Sequence, residues 1–284
     1  MKNFEFAVVT PSYAPDFERC KLLAWSVQKF ISPAVTHYII VPEKDLALFK
    51  QIEGPKTEVI TVRSVLPWWI RKIPVVKNGW LSLRTPPIRN WILQQIVKIS
   101  AAKQVNRDVL VFVDSDTAFV RPFNFQNFVK DDRVRLFHAE QPPSEKPDDW
   151  GLAATKLLGL SYTHLPNYVT GIISWRRDNV LKMYNHIESV SGRGHVETIA
   201  SSWHLSEYVL YGTFADYVLK EDSGHYWDAG RTCKEYWSTE NMTDEQLEQF
   251  FGDIEPGIIA AMVSAKANIS PSRYQTLLET VPAT

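Results

Sequence analysis

One stretch constrains this chain more than any other: Val109-Leu110-Val111-Phe112-Val113-Asp114-Ser115-Asp116-Thr117-Ala118-Phe119-Val120. An apolar run rich in β-branched residues, with no polar alternation, is what a strand buried on both faces requires. Carboxylates cannot follow that run into a core without partners, so Asp114 and Asp116 belong just past the strand end. Residues two apart on an extended chain project to the same side, so the two carboxylates present their oxygens together. Hard oxygen ligands side by side suit Mg2+ or Mn2+, ions that keep positions open for substrate phosphates. A turn in which the aspartates cap backbone amides would use the same residues.

The rest of the first half reads as alternating strands and helices. Strands are expected at Phe4–Thr10, His37–Val41, Thr57–Val62 and Val109–Val113, and helices at Phe17–Phe30, Asp45–Ile52 and Ile88–Gln104. A connection containing Pro and Trp runs from Leu66 to Pro87. This alternation predicts a mostly parallel sheet flanked by helices, an α/β fold with right-handed crossovers. In such sheets ligands bind at the carboxyl ends of the strands. The loop Thr10–Asp16 and the Asp114/Asp116 pair both fall there and can line one crevice. The second half is less regular. Strands are expected at Val134–His138 and Tyr168–Trp175, and helices at Asp178–Ser189 and Ser206–Leu219. Loops are expected at Pro142–Asp149 and Asp222–Cys233, and a final helix over Pro256–Lys266. Thr243-Asp244-Glu245-Gln246 has capping-box spacing and should open a helix reaching Phe251.

The chain has 284 residues and a net charge of −1, so nothing calls for a nucleic-acid partner. Two distant cysteines, Cys20 and Cys233, fit reduced thiols in a cytoplasmic protein better than a disulfide framework. Phe6-Ala7-Val8-Val9 begins without a charged segment and long apolar core ahead of it, which argues against a signal peptide. Charge is unevenly spread. From Val59 to Arg107 there are nine Lys and Arg residues, no acid, and Trp68, Trp69, Trp80 and Trp91. From Glu235 to Glu255 every charged residue is acidic. Such blocks mark faces with different partners, or two segments that compensate one another.

The strand, Asp114-Ser115-Asp116, the short apolar stretch and Arg121-Pro122-Phe123 together resemble the DxD signature of GT-A-type glycosyltransferases. Gln94-Gln95 and Lys98, ahead of the acidic pair, resemble uncharacterised bacterial transferases of that type, of the polysaccharide kind. The resemblance implies one GT-A (Rossmann-like) domain over 1–284, with residues 1–123 binding a nucleotide-sugar and 124–284 an acceptor. It implies Mn2+ or Mg2+ on Asp114 and Asp116, with Ser115 between them, gripping the donor diphosphate. It places the nucleobase and ribose against Thr10, Pro11, Ser12 and Tyr13. Asp16 either hydrogen-bonds the base or caps the following helix. Gln95 and Lys98 share a helix face and reach the nucleotide, unless that face is simply solvated. Gly171, in Thr170-Gly171-Ile172-Ile173-Ser174-Trp175, either lets a ligand approach the backbone or marks a bulge.

Glu207, in Ser206-Glu207-Tyr208-Val209-Leu210-Tyr211-Gly212, sits in an aromatic setting that disfavours its charged form, and so suits a base that deprotonates an acceptor hydroxyl. It would otherwise hold a hydroxyl without proton transfer, or pair with an arginine. His225 is the leading candidate for a third metal ligand and His204 the second, while Arg231 could neutralise the departing diphosphate. With Glu207 as base, the reaction would invert the anomeric centre. The implied partners are a nucleotide-sugar donor and a glycan or lipid-linked glycan acceptor of a bacterial surface polysaccharide. The basic, Trp-rich segment suits peripheral contact with the inner, cytoplasmic membrane, or a lid over the donor. Two other classes compete: a nucleotidyltransferase or phosphotransferase, against which Pro11-Ser12-Tyr13-Ala14-Pro15 lacks a glycine-rich phosphate loop, and a non-catalytic carbohydrate-binding protein.

Overall fold

The computed structural model describes residues 3–72, 79–142 and 148–282. Lys77, and the part of the Pro142–Asp149 loop at 143–147, lie outside the described residues. The chain opens with β1 (Phe6–Pro11), buried along its whole length, and α1 (Phe17–Phe30), which packs Leu23 and Val27 inward. β2 (Thr36–Val41), α2 (Leu46–Phe49, between two 3-10 turns), β3 (Thr57–Thr61) and the single turn α3 (Val62–Val65) follow. α4 (Asn90–Gln104) then leads into a fully buried strand, Val109–Val113.

The expected Leu66–Pro87 connection is more structured than its Pro and Trp content suggested. It carries β4 (Ile70–Lys72) and β5 (Gly79–Ser82), and with β6 (Ile88–Arg89) these form an antiparallel three-stranded sheet. Ile70, Trp80 and Ile88 face inward, and their burial is what holds this small sheet on the body. With β7 assigned to Val109–Val113, the strand after it is β8 (Thr117–Phe119).

The second half contributes β9 (Val129–Lys130), β10 (Arg133–Phe137), α5 (Asp149–Leu157), β11 (Ile172–Arg176), α6 (Arg177–Ser191) and α7 (His195–Ala200). α8 (Glu207–Thr213) passes into a π-helical stretch, Phe214–Leu219, so the expected Ser206–Leu219 helix is present but widened at its end. Two expectations fail here. Asp222–Cys233 is not all loop, because His225–Asp228 forms β12 alongside β10. Pro256–Lys266 is not a helix: Ala260–Val263 forms a strand, here β14, between β8 and β13 (Cys233–Tyr236). A short, continuously apolar run reads equally as helix or strand, and pairing with two neighbours decides for the strand. α9 (Asp244–Gly252) starts at Thr243 with both hydrogen bonds of a capping box to Gln246, and α10 (Gln275–Thr280) closes the chain.

The central sheet has the order β11-β7-β1-β2-β3. Four strands are parallel and β11 lies antiparallel on the β7 edge, so the fold is mixed α/β with a parallel-rich core sheet. Ile172 pairs with Val113, which brings Gly171 level with Asp114. The sheet thus delivers the ends of β1, β7 and β11 to one edge.

Candidate active site

The carboxyl end of β7 releases Asp114 from the core, and α4 and α8 close over it. Lys98, on the buried face of α4, places its ammonium 2.8 Å from Asp114 Oδ1 and 2.8 Å from Glu207 Oε1. It also donates to the Tyr208 hydroxyl at 2.9 Å. The Lys98 and Glu207 side chains are each only 3 % exposed, whereas Asp114 is 41 % exposed. Burial alone would lower the Lys98 pKa, but Asp114 and Glu207 outweigh it and raise it well above its ordinary value. Lys98 is therefore a fixed cation. The structure thus gives Glu207 a lysine partner, not the arginine weighed from sequence.

Gln95 lies between α4 and α8. It is buried, donates to the Trp91 carbonyl at 3.0 Å and accepts the Glu207 amide at 3.4 Å, so it ties α4 to the start of α8. Ser206 caps α8 by accepting the Val209 amide, which fixes the turn that presents Glu207.

Asp116 meets different surroundings. Its carboxylate accepts the Ala265 amide at 3.1 Å, and its own carbonyl accepts the Val263 amide at 3.0 Å. Burial first, then the nearby Asp114 charge, raise its pKa to about 6. Asp16 stands within electrostatic reach of both aspartates. Its pKa is raised by burial and by Asp114, against the lowering effect of Arg19, whose guanidinium lies 3.6 Å away. Asp16 occupies the N-cap position of α1 but makes no side-chain capping bond, so the capping role weighed for it is not the one it fills.

Thr10 is fully buried. Its hydroxyl donates to the Val113 carbonyl at 2.8 Å and meets His37 Nε2 at 2.9 Å, so it clamps the ends of β1 and β7 together. Pro11 ends β1, Ser12 and Ser115 are buried beside the aspartates' edge, and Tyr13 is half exposed at the rim. Gly171 sits where a Cβ would come within 2.8 Å of Cys233 Sγ, which explains the glycine by packing. Its amide donates to Glu235 Oε1 at 2.7 Å, and Trp237 Nε1 donates to Glu235 Oε2 at 2.8 Å. Arg231 Nη1 is 3.5 Å from the same carboxylate. Glu235 is the residue that the sequence reading missed, and it gathers Gly171, Arg231 and the exposed Trp237 at one place. The alternation of Cys233 inward and its neighbours outward was the only sequence signal for it. The Ala265 amide on Asp116 left no signal at all, because any residue type supplies one.

His225 is a correction. It lies buried on β12, with Nδ1 2.8 Å from the Val134 carbonyl and Nε2 2.7 Å from the Tyr211 hydroxyl. A carbonyl needs a proton from Nδ1, so Nε2 accepts from Tyr211 and no lone pair is left for a metal. Burial lowers the His225 pKa to about 4, which keeps the ring neutral. His204 lies instead 3.8 Å from Asp149. Both cysteines are free and buried. A shallow depression beside β3, lined by Thr36, Glu53 and Thr57, sits at the opposite, amino-terminal edge of the sheet and holds none of these groups.

Among the groups named above, Asp16, Asp114, Asp116 and Glu207 supply four negative charges when ionised, against two positive ones from Lys98 and Arg19. Among the described residues no cluster of three His, Cys, Asp or Glu side chains is placed to hold a metal ion. Two protein carboxylates on a hard cation, with the remaining positions left to phosphate and water, is nonetheless the arrangement such ions accept.

The fold is mixed α/β, and Asp16, Asp114 and Asp116 gather at one edge of its central sheet. The chain belongs to a family of unknown function, DUF6492, whose match spans residues 7–282. No curated protein matches it. Among solved structures it is similar to an active-site mutant of LgtC, with 13 % identity and a TM-score of 0.47 over 98 % of this chain and 97 % of that one.

Proposed function

We propose that this protein is a GT-A-type glycosyltransferase that moves a sugar from a nucleotide-diphospho-sugar to a hydroxyl of a glycan or lipid-linked glycan. The observation that carries the reading is the residual negative charge at the carboxyl ends of β1 and β7, with Asp114 and Asp116 at its centre. Asp114 and Asp116 would hold Mn2+ or Mg2+, which when bound neutralises charge on the diphosphate. In the reaction the bond between the anomeric carbon and the diphosphate oxygen breaks. The acceptor oxygen bonds to that carbon, and the hydroxyl proton passes to solvent water.

Tyr13, half exposed, would stack on the nucleobase. Arg231, 3.5 Å from Glu235, would meet diphosphate charge. Lys98 fixes the Asp114 carboxylate, and Glu207 fixes Lys98. Glu207 lies 2.8 Å from the Lys98 ammonium and is almost wholly buried, so in this reading it positions Lys98.

The test is thermal unfolding with a panel of nucleoside diphosphates, with Mn2+ or with a chelator. One nucleotide at a hundredfold excess over its Kd should add about 2.7 kcal/mol of apparent stability, only with the metal. The Asp114→Ala/Asp116→Ala variant should lose that gain. No stabilisation by any nucleotide would overturn the reading. Slow hydrolysis of the matching nucleotide-sugar should release nucleoside diphosphate and free sugar. Release of nucleoside monophosphate would favour nucleotidyl transfer instead.

A further inference from the structure

Among the described residues, nothing covers one face of the small sheet β4-β5-β6. Strand pairing sets Arg71 opposite Leu81, and Gly79 opposite Arg89. Directly paired residues share a face and alternate residues return to it, so Arg71, Leu81 and Arg89 project together while Ile70, Trp80 and Ile88 point into the body. Leu83 continues the outward row and is 62 % exposed. Trp203, 67 % exposed, joins through Arg89, whose guanidinium lies 4.6 Å from its ring. Trp68, just before β4, is equally open. Solitary exposed apolar residues need no explanation, but a group of this kind does.

The charge around the group identifies its partner. Between Val59 and Arg107 there is no acidic residue, so the cations on this face have no internal counterions in their own segment. We propose that this face docks on an anionic phospholipid membrane surface. Trp rings and Leu side chains would enter the headgroup region while Arg71 and Arg89 meet lipid phosphates. A neutral protein partner would explain the apolar residues but not the absence of acids from Val59 to Arg107. The face is also joined to the site. Trp91 Nε1 donates to the Leu205 carbonyl at 2.8 Å, two residues before Glu207. A docked protein therefore holds the Lys98–Glu207 edge near the lipid surface. Among the described residues no helix is long and apolar enough to cross a membrane, so the contact is peripheral. The inference stands whether or not the site transfers sugar.

The experiment is co-sedimentation of the full chain with vesicles of phosphatidylcholine alone, and of phosphatidylcholine mixed with phosphatidylglycerol. Binding should require phosphatidylglycerol and weaken as salt rises. Arg71→Gln removes one surface cation and should weaken it about fivefold. Leu83→Ser should weaken it without altering the salt dependence. Lys21→Gln, on α1, should bind like the unaltered chain, and melting curves for all variants separate lost docking from lost folding. No binding to the anionic vesicles overturns the proposal. So does equal binding to both vesicle types, or equal losses in Arg71→Gln and Lys21→Gln.

Discussion

Asp114 and Asp116 stand one residue apart, on opposite sides of an electrostatic divide. On the Asp114 side, α4 and α8 supply a buried ammonium shared with Glu207 and Tyr208. On the Asp116 side, the segment after β14 supplies the Ala265 backbone amide, and burial lifts the carboxyl pKa to about 6. Asp114 is paired with a buried ammonium, while burial and the Asp114 charge disfavour the ionised form of Asp116. In the proposed reading, the first side gives rigidity and the second takes the cation.

The strongest way to break this contrast is to remove the internal cation. Lys98→Met leaves Glu207 buried without its counterion, and stripping one member of a buried pair costs about 3–5 kcal/mol. The loss should appear in the urea midpoint at neutral pH. Lys98→Met combined with Glu207→Leu should recover much of it, because no buried charge is then left alone. A single variant within about 1 kcal/mol of the parent, on the scale of an exposed pair, would mean that water reaches the network.

Asp116 should behave in the opposite way. Its ordinary pKa is 3.8 and its folded one about 6, so the folded chain binds more protons between those values. Stability from this group is complete below the ordinary value and is lost as pH rises through about 6. The full loss is about 3 kcal/mol by linkage. Asp116→Asn keeps an oxygen for the Ala265 amide and removes the charge. It should therefore match the parent below pH 4, exceed it by about that amount at neutral pH, and abolish Mn2+ binding. A variant that is less stable at neutral pH would show that Asp116 is already compensated.

The same contrast explains what the sequence could reveal. The apolar run Val109–Val113 and the acid pair after it announce a buried strand and the site at its end, because burial and charge act within a few residues there. α1 was legible from its apolar spacing alone, and α9 from its capping box. β14 was not, since Ala260–Val263 becomes a strand only through partners at Thr117–Phe119 and Cys233–Tyr236, both distant in sequence. Lys98 was legible as a cation near the site because it shares a helix face with Gln95. Its bond to Glu207 spans more than a hundred residues, and no local pattern encodes that. His225 misled for a related reason: a histidine in a polar stretch looks available until Val134 and Tyr211 are seen to occupy both nitrogens.

A milder change sharpens the comparison without dismantling either side. Tyr208→Phe deletes the hydroxyl 2.9 Å from Lys98 but leaves both carboxylates in place. Losing a hydrogen bond to a charged group should cost about 1.5 kcal/mol. That cost belongs wholly to the Lys98 side, so it should be nearly constant with pH. The fall in stability attributed to Asp116 should persist in Tyr208→Phe with the same midpoint, whereas Asp116→Asn erases it. Urea titrations of the parent and both variants across that range test this directly. A shifted midpoint in Tyr208→Phe would show that the ammonium network reaches across to Asp116, and that the two aspartates act as one coupled site.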